Sequence, residues 1–198
     1  MVFMTEEENT IYFVTGNTHK FNEGLEIFSR ERLRYKLKQK DIKTIEIQAN
    51  SLRDIASFKL DSVKHKINAS FIVEDAGFFV DTPLEGFPGV YSSYVLKTVG
   101  NEGILKLIDD YAESRAHFSA IISLYFKPLD KVLFFDGKIT GKISETIRGE
   151  GGFGFDPIFI PDSIPDKTFA EISTQQKNKI SHRGQAMKKL ISFLKKRI

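Results

Sequence analysis

Apolar positions along this chain repeat in two periods, and the alternation between them predicts its elements. Thr10–Val14, TIYFV, is rich in β-branched and aromatic residues and predicts a strand. Behind it, Phe21, Leu25 and Phe28 recur at i, i+4 and i+7, one apolar face of a helix. Residues 35–38 and 42–47 predict two further strands. The second carries Glu46 between Ile45 and Ile47, and alternation turns that acid away from its neighbours. Leu52, Ala56, Leu60, Val63 and Ile67 then mark an amphipathic helix, with Asn50 or Ser51 as its cap and Lys59 beside the stripe. Phe71, Ile72 and Val73 predict a short buried strand that ends at Glu74 and Asp75. Gly77 offers a turn or a close approach before a second apolar run, Phe78, Phe79 and Val80. Residues 91–98 and 102–111 look helical on either side of Gly100. Residues 117–127 and 131–143 alternate as the two arms of a long antiparallel hairpin around Pro128, Leu129 and Asp130. A last helix is predicted over residues 185–197, with Ser181 as a cap that presents His182 and Arg183 in the first turn.

Composition narrows the class without naming an activity. The 198 residues suffice for one domain with a real core, and 41% hydrophobic with 28% charged residues is ordinary for a soluble globular protein. No apolar run approaches the roughly 18–20 residues of a membrane span. The first residues, MVFMTEEENT, lack the basic start and apolar stretch of a signal peptide. The absence of cysteine excludes disulfides and thiolate metal sites and agrees with a cytoplasmic setting. A net charge of +3 argues weakly for nucleic acid and is equally compatible with an anionic small molecule held by a few local cations.

Four stretches carry candidate chemistry. Thr15, Gly16, Asn17, Thr18, His19 and Lys20 lie between a strand and a helix, where backbone N–H groups, the helix dipole and the lysine suit an anion. They match neither common phosphate-loop signature, and a simple capped turn explains them as well. Glu74 and Asp75 at the end of an apolar strand need solvent, a basic partner or a metal ion, and strand ends are where open α/β sheets bind ligands. Gly149, Gly151, Gly152 and Gly154 alternate with Phe153 and Phe155 before Asp156. That pattern is either a glycine-rich surface loop or a site where backbone approaches a ligand, rings stack and an acid accepts ring N–H groups. His182 and Arg183 at a helix N-terminus oppose its dipole, which an anionic or carbonyl-bearing ligand would explain.

Taken together, the chain resembles the inosine triphosphate pyrophosphatase family. Four motifs match in order: TGNTHK ending at Lys20, EDAGFFVD with GFPGVYS beginning at Glu74, GGFGFDPIF beginning at Gly151, and KNKISHRG beginning at Lys177. EIQANSLRDIA from Glu46 and TFAEI from Thr168 also look like family sequence, so the resemblance runs over nearly the whole chain. It implies an α/β fold, an elongated mixed β-sheet flanked by helices, as a single domain of two lobes with a central substrate cleft. It further implies Mg²⁺-dependent hydrolysis of non-standard purine nucleoside triphosphates (ITP, dITP, XTP) to monophosphate and pyrophosphate by a cytoplasmic homodimer. Residue by residue, Thr15 through Lys20 match the triphosphate loop, and Lys59 a position that meets phosphates in some relatives. Asp75 matches the acid that activates water and helps hold the metal, with Glu46 as a second metal-binding carboxylate. Phe153, Gly154, Phe155, Asp156, Lys177, His182 and Arg183 match the base pocket. Donors there would favour a 6-keto purine over adenine, whose amino group would leave them unsatisfied.

Two positions depart from the pattern. Ala76 stands where many relatives have Ser, which removes a hydroxyl beside Asp75 but keeps a backbone contact to substrate. Phe155 stands where Tyr is common. Two competing readings are a related nucleotide pyrophosphatase of different base specificity and a nucleic-acid-binding module built on the basic C-terminal helix. The first is not expected to carry SHR and GGFGFDP together, and the modest net charge counts against the second.

Overall fold

A computed structural model describes residues 9–197. In chain order the elements are β1 (Thr10–Val14), α1 (Thr18–Ser29), β2 (Lys36–Lys40), α2 (Leu52–Lys64), β3 (Ser70–Thr82), β4 (Phe87–Gly89), α3 (Ser92–Thr98) and α4 (Gly100–Leu107). They continue with β5 (Arg115–Phe126), β6 (Lys131–Ile143), β7 (Phe159–Pro161), α5 (Thr174–Ile180) and α6 (His182–Lys195). Among the described residues seven strands form one mixed sheet in the order β2-β1-β3-β5-β6-β7, with β4 paired to β3. β1 runs parallel to both neighbours, in register Thr10↔Lys36 with β2 and Ile11↔Ser70 with β3. Parallel neighbours need crossover connections, and α1 and α2 supply them. The chain visits one side of β1 and then the other, so the carboxyl end of β1, beside the middle of β3, marks a topological switch point.

The chain divides into two compact units. One takes in the residues up to Asp75, Ile121–Asp136 and the stretch from Ala186 onward; the other takes in Ala76–Ala120 and Gly137–Gln185. In the first unit, strand alternation sorts the core into two sets. Ile11, Phe13, Ile72, Ile122, Leu124 and Phe126 pack with Ile27 and Phe28 of α1 and with Met187, Leu190, Ile191 and Leu194 of α6. Val14, Phe71 and Val73, turned the other way, pack with Leu60 and Val63 of α2. Two-residue periodicity thus assigns α1 and α6 to one face and α2 to the other. In the second unit a ring-rich core gathers Phe78, Phe118, Phe155, Phe159 and Phe169. Phe78 stacks on Phe155 with centroids 4.9 Å apart, and Phe118 meets Phe159 edge-on at 4.9 Å.

Three expectations are corrected. β3 does not end at Glu74-Asp75: it is one strand of 13 residues that carries both acids and Gly77 in its interior. Gly77 is there for close approach, because a Cβ would lie 2.6 Å from the Gly89 carbonyl oxygen of β4. Residues 42–47 form no strand, because β1 ends at Val14, the partner of Lys40, and leaves nothing to pair with further on. That segment is tied to α2 instead, with the Ile45 N–H donating to Ser62 Oγ at 3.1 Å. The last helix begins at His182 rather than at Gln185. The hairpin is present as β5 and β6, and Asp130 turns it in a left-handed conformation at φ 46°. The opening residues weighed for a signal peptide lie outside the described residues, among which no helix is long and apolar enough to cross a membrane.

Candidate active site

The first unit brings five charged side chains to the carboxyl end of β1 and the neighbouring middle of β3. The last β1–β3 pair is Phe13↔Ile72, so Glu74 and Asp75 stand beside the loop that leaves β1. Adjacent strand residues point to opposite faces, so Glu74 shares the face of Ile72 and Asp75 that of Phe71 and Val73. Each acid is met by a lysine from the helix covering its face. Lys20 of α1 places its Nζ 3.6 Å from Glu74 Oε2. Lys59 of α2 donates to Asp75 Oδ1 at 2.9 Å and to Glu46 Oε1 at 2.6 Å. Glu74 has a fully buried side chain and Asp75 one only 11% exposed, whereas Glu46 is 60% exposed on its irregular segment. Carboxylates this deep persist only where such partners offset lost hydration.

Burial pushes the Asp75 carboxyl above the ordinary aspartate value, against the opposing pull of Lys59 and Lys20. Burial alone would lower the Lys59 ammonium, but the charges of Asp75 and Glu46 hold it above its ordinary value. A buried acid made more basic, next to cations, is a recurrent arrangement for proton abstraction.

The loop between β1 and α1 is a built cap. Asn17 accepts from the Lys20 N–H through Oδ1, and its own N–H donates to Thr15 Oγ1. The Thr15 N–H donates to Lys40 O, and Gln39 Nε2 donates to Thr15 O. With these N–H groups engaged, Lys20 is the strongest anion-attracting feature of the stretch. Gly16 to His19 are exposed. At Gly16 a Cβ would stand 3.3 Å from Asp41 Oδ1, so a larger residue would press on the end of β2.

The second unit assembles the glycine-rich loop, α5 and the start of α6. Asp156 Oδ2 accepts from the Phe153 N–H at 2.7 Å and from Lys177 Nζ at 2.6 Å, with both side chains of the ion pair 3% exposed. Gly152 has φ +69°, and a Cβ there would lie 2.2 Å from Asp156 Oδ2. The glycine therefore lets the loop close on the acid. The half-buried Phe153 ring has Lys177 Nζ 4.7 Å and Arg183 Cζ 5.4 Å from its centroid, within cation–π range. Buried His182 stacks on Phe118 at 4.9 Å and 8°. Ser181 Oγ caps α6 by accepting from the Gly184 N–H. Gly154 offers its carbonyl to Asn101 Nδ2 at 3.1 Å. Phe155 packs inward on Phe78, so its ring belongs to the core, and Ala76 is half-buried on β3.

Sequence reasoning assigned no role to the supports. Residues 168–172 grip the glycine loop: the Gly151 N–H donates to Ala170 O, Thr168 Oγ1 donates to Arg148 O, and Arg148 pairs with Glu171. The TFAEI motif was visible, but its task depends on contacts between distant segments. Asn101 had no local signal at all.

For a divalent ion, the donor chemistry fits. Glu46 and Asp75 supply hard oxygen ligands, and Asp75 Oδ2 is buried without a hydrogen-bond partner. No group of three or more candidate ligands is gathered among the described residues. The acids also already hold an ammonium.

A sequence profile of the Ham1 family matches residues 11–193. A dITP/XTP pyrophosphatase of Thermococcus kodakarensis is 42% identical over 186 residues, 94% of this chain and 97% of the relative. That of Pyrococcus horikoshii is 43% identical over 188 residues, 93% of this chain and 96% of the relative. Among solved structures, a HAM1 protein from Coxiella burnetii superposes with a TM-score of 0.81 at 27% identity, covering 94% of this chain and 98% of its own. The Staphylococcus aureus Ham1 protein gives 0.80 at 29%, covering 96% and 100%. With the profile spanning nearly every element described above and the sheet shared with solved relatives, this chain belongs to the Ham1 family.

Proposed function

We propose that this protein hydrolyses non-standard purine nucleoside triphosphates of the dITP and XTP kind to the monophosphate and pyrophosphate. The observation that carries the reading is the pairing of each β3 carboxylate with a lysine at the β1/β3 switch point, in a chain over 40% identical to enzymes named for that reaction. Lys20 and the exposed stretch from Gly16 to His19 suit the phosphates. Asp75 takes a proton from water, which attacks the α-phosphorus. The bond to the bridging oxygen breaks, and pyrophosphate leaves with that oxygen.

Glu46 and Asp75 are the residues that would hold Mg²⁺, which when bound neutralises phosphate charge and favours in-line displacement. The second unit's cluster suits a purine base. The cation-flanked ring of Phe153 suits stacking on a purine, while His182 and Arg183 supply donors for a 6-keto oxygen and Lys177 holds Asp156 under the loop. Adenine's amino group would leave those donors unsatisfied. On this reading the two compact units are the lobes of one domain, acting as a cytoplasmic homodimer with neither membrane nor nucleic acid as partner.

The test is pyrophosphate release with Mg²⁺ from ITP, XTP, dITP, ATP and GTP. Rapid hydrolysis of ITP, XTP and dITP with ATP nearly untouched is the expected result, while GTP, whose guanine also carries a 6-keto oxygen, reports only on its 2-amino group. Equal turnover of all five discards the 6-keto readout, and no release from any discards the activity.

A further inference from the structure

The position of Lys59 leads beyond the reaction itself. Its ammonium sits between the two carboxylates assigned to the metal, 2.6 Å from Glu46 Oε1 and 2.9 Å from Asp75 Oδ1, on a side chain only 12% exposed. It already supplies one of the two positive charges that a divalent ion would bring. Glu46 is drawn in from an otherwise irregular and exposed segment by this contact and by the neighbouring Ile45–Ser62 hydrogen bond. We infer that Lys59 is a resident counter-cation that keeps the Glu46–Asp75 pair from binding a free divalent ion and releases it when the ion arrives together with a triphosphate. The inference rests on the metal assignment proposed above.

The physical case has three steps. A divalent ion held by Glu46 and Asp75 would have to share their oxygens with the ammonium already there, and like charges at that range in a partly buried site repel strongly. Lysine can yield, because its charge is a point on a flexible four-carbon stem, unlike the planar fork of arginine. It yields at low cost only if another anion takes it, and a nucleotide's phosphates provide one while a bare ion does not. Free ion and nucleotide-borne ion therefore meet different sites. The lysine makes binding of ion and nucleotide mutually dependent, a coupling that must be reciprocal. A lysine that only anchored residues 41–49 to α2 would have no effect on ion affinity beyond loosening that segment.

Mn²⁺ serves as the probe, with free ion counted by electron paramagnetic resonance and activity left out of the measurement. Nucleotide-free protein is compared with protein saturated by α,β-imido ITP, whose bridging nitrogen resists hydrolysis. The expected result is weak nucleotide-free binding by the unaltered protein, with affinity rising at least about tenfold on adding the analogue, equivalent to about 1.4 kcal/mol. Lys59→Gln raises nucleotide-free affinity by a similar factor, Lys59→Arg does not, and the gain is lost in Lys59→Gln/Asp75→Asn. Nucleotide-free Mn²⁺ binding by the unaltered protein as tight as with the analogue overturns the inference without recourse to any variant. So does Lys59→Gln binding no more tightly than the parent while Asp75→Asn weakens it, although the metal assignment then stands. Mn²⁺ affinity indifferent to Asp75→Asn in every background overturns the inference and the metal assignment together.

Discussion

Asp75 and Lys177 show how burial separates a reactive charge from a structural one. Asp75 has one oxygen on Lys59 and the other without a hydrogen-bond partner. Asp75→Asn keeps the shape and removes the base, so kcat is expected to fall about 10²–10⁴-fold with little change in melting temperature. Lys20→Ala should likewise abolish most turnover, and because it takes the lysine from the fully buried Glu74 it should also lower the melting temperature. Full activity in either variant, measured by pyrophosphate release, would remove the assignment. Lys177 and Asp156 behave differently, being a tight pair with almost no solvent. Truncating one partner of such a pair strands the other, at a cost of about 3–5 kcal/mol. Lys177→Met should lower the unfolding free energy by about that much in a denaturant titration. Adding Asp156→Asn, which can still accept from the Phe153 N–H, should restore a large part. A single variant as stable as the parent would mean that the acid takes solvent or a proton at no cost.

Elements bring such residues together, and the glycine loop offers a controlled comparison at this scale. Gly100, which opens α4, and Gly152 both have φ +69°, yet a Cβ at Gly100 meets nothing within 4 Å while one at Gly152 lands 2.2 Å from Asp156 Oδ2. Gly100→Ala should therefore cost the left-handed backbone penalty alone, about 1–2 kcal/mol. Gly152→Ala should cost that and more, because it also drives the loop off Asp156, and it should blunt discrimination between XTP and ATP. Equal losses in chemical denaturation would show that the acid moves aside freely and is not what fixes the loop. The residue alphabet alone showed that these glycines were unusual, but not which of them faced a wall. Whether a glycine is needed for φ or for space depends on the segment that approaches it.

Across the whole molecule, what the sequence revealed divides along local and long-range physics. β1, α1 and α2 were readable because their periodicity and caps lie within one stretch, down to Ser51 accepting from the Arg53 and Asp54 N–H groups. β3 was misread as two runs because acids and a glycine interrupt its apolar pattern. The lysines of two helices and the β4 backbone help make those interruptions tolerable. The strand expected over residues 42–47 had the pattern but no neighbour, since β1 had ended. The site's charged residues were named from motifs, whereas their pairing (Lys20 with Glu74, Lys59 with Asp75 and Glu46) needed the sheet order. The same logic governs ion pairs far from the site, and it fixes how stability responds to acid. Arg115 of β5 holds the Asp162 carboxyl below its ordinary value of 3.8 through two hydrogen bonds of 2.9 and 2.8 Å, helped by Thr140 Oγ1. Lys189 does the same for Asp136, and Arg148 for Glu171. A carboxyl whose folded value is depressed contributes stability above its unfolded value, and that stability is lost as pH falls through the folded value. Asp75, raised by burial, acts with the opposite sign, contributing fully below 3.8 and losing that contribution as pH rises through its folded value. The depressed carboxyls of Asp136, Asp162 and Glu171 predict a melting-temperature contribution that is lost as pH drops below 3.8. Each exposed pair contributes little and is screened by salt, so the fall should be gradual and shallower at high ionic strength. Asp162→Asn removes one titrating group and should flatten the acid limb relative to the parent. An acid limb of unchanged slope in that variant would mean that the Arg115 clamp is not formed in solution.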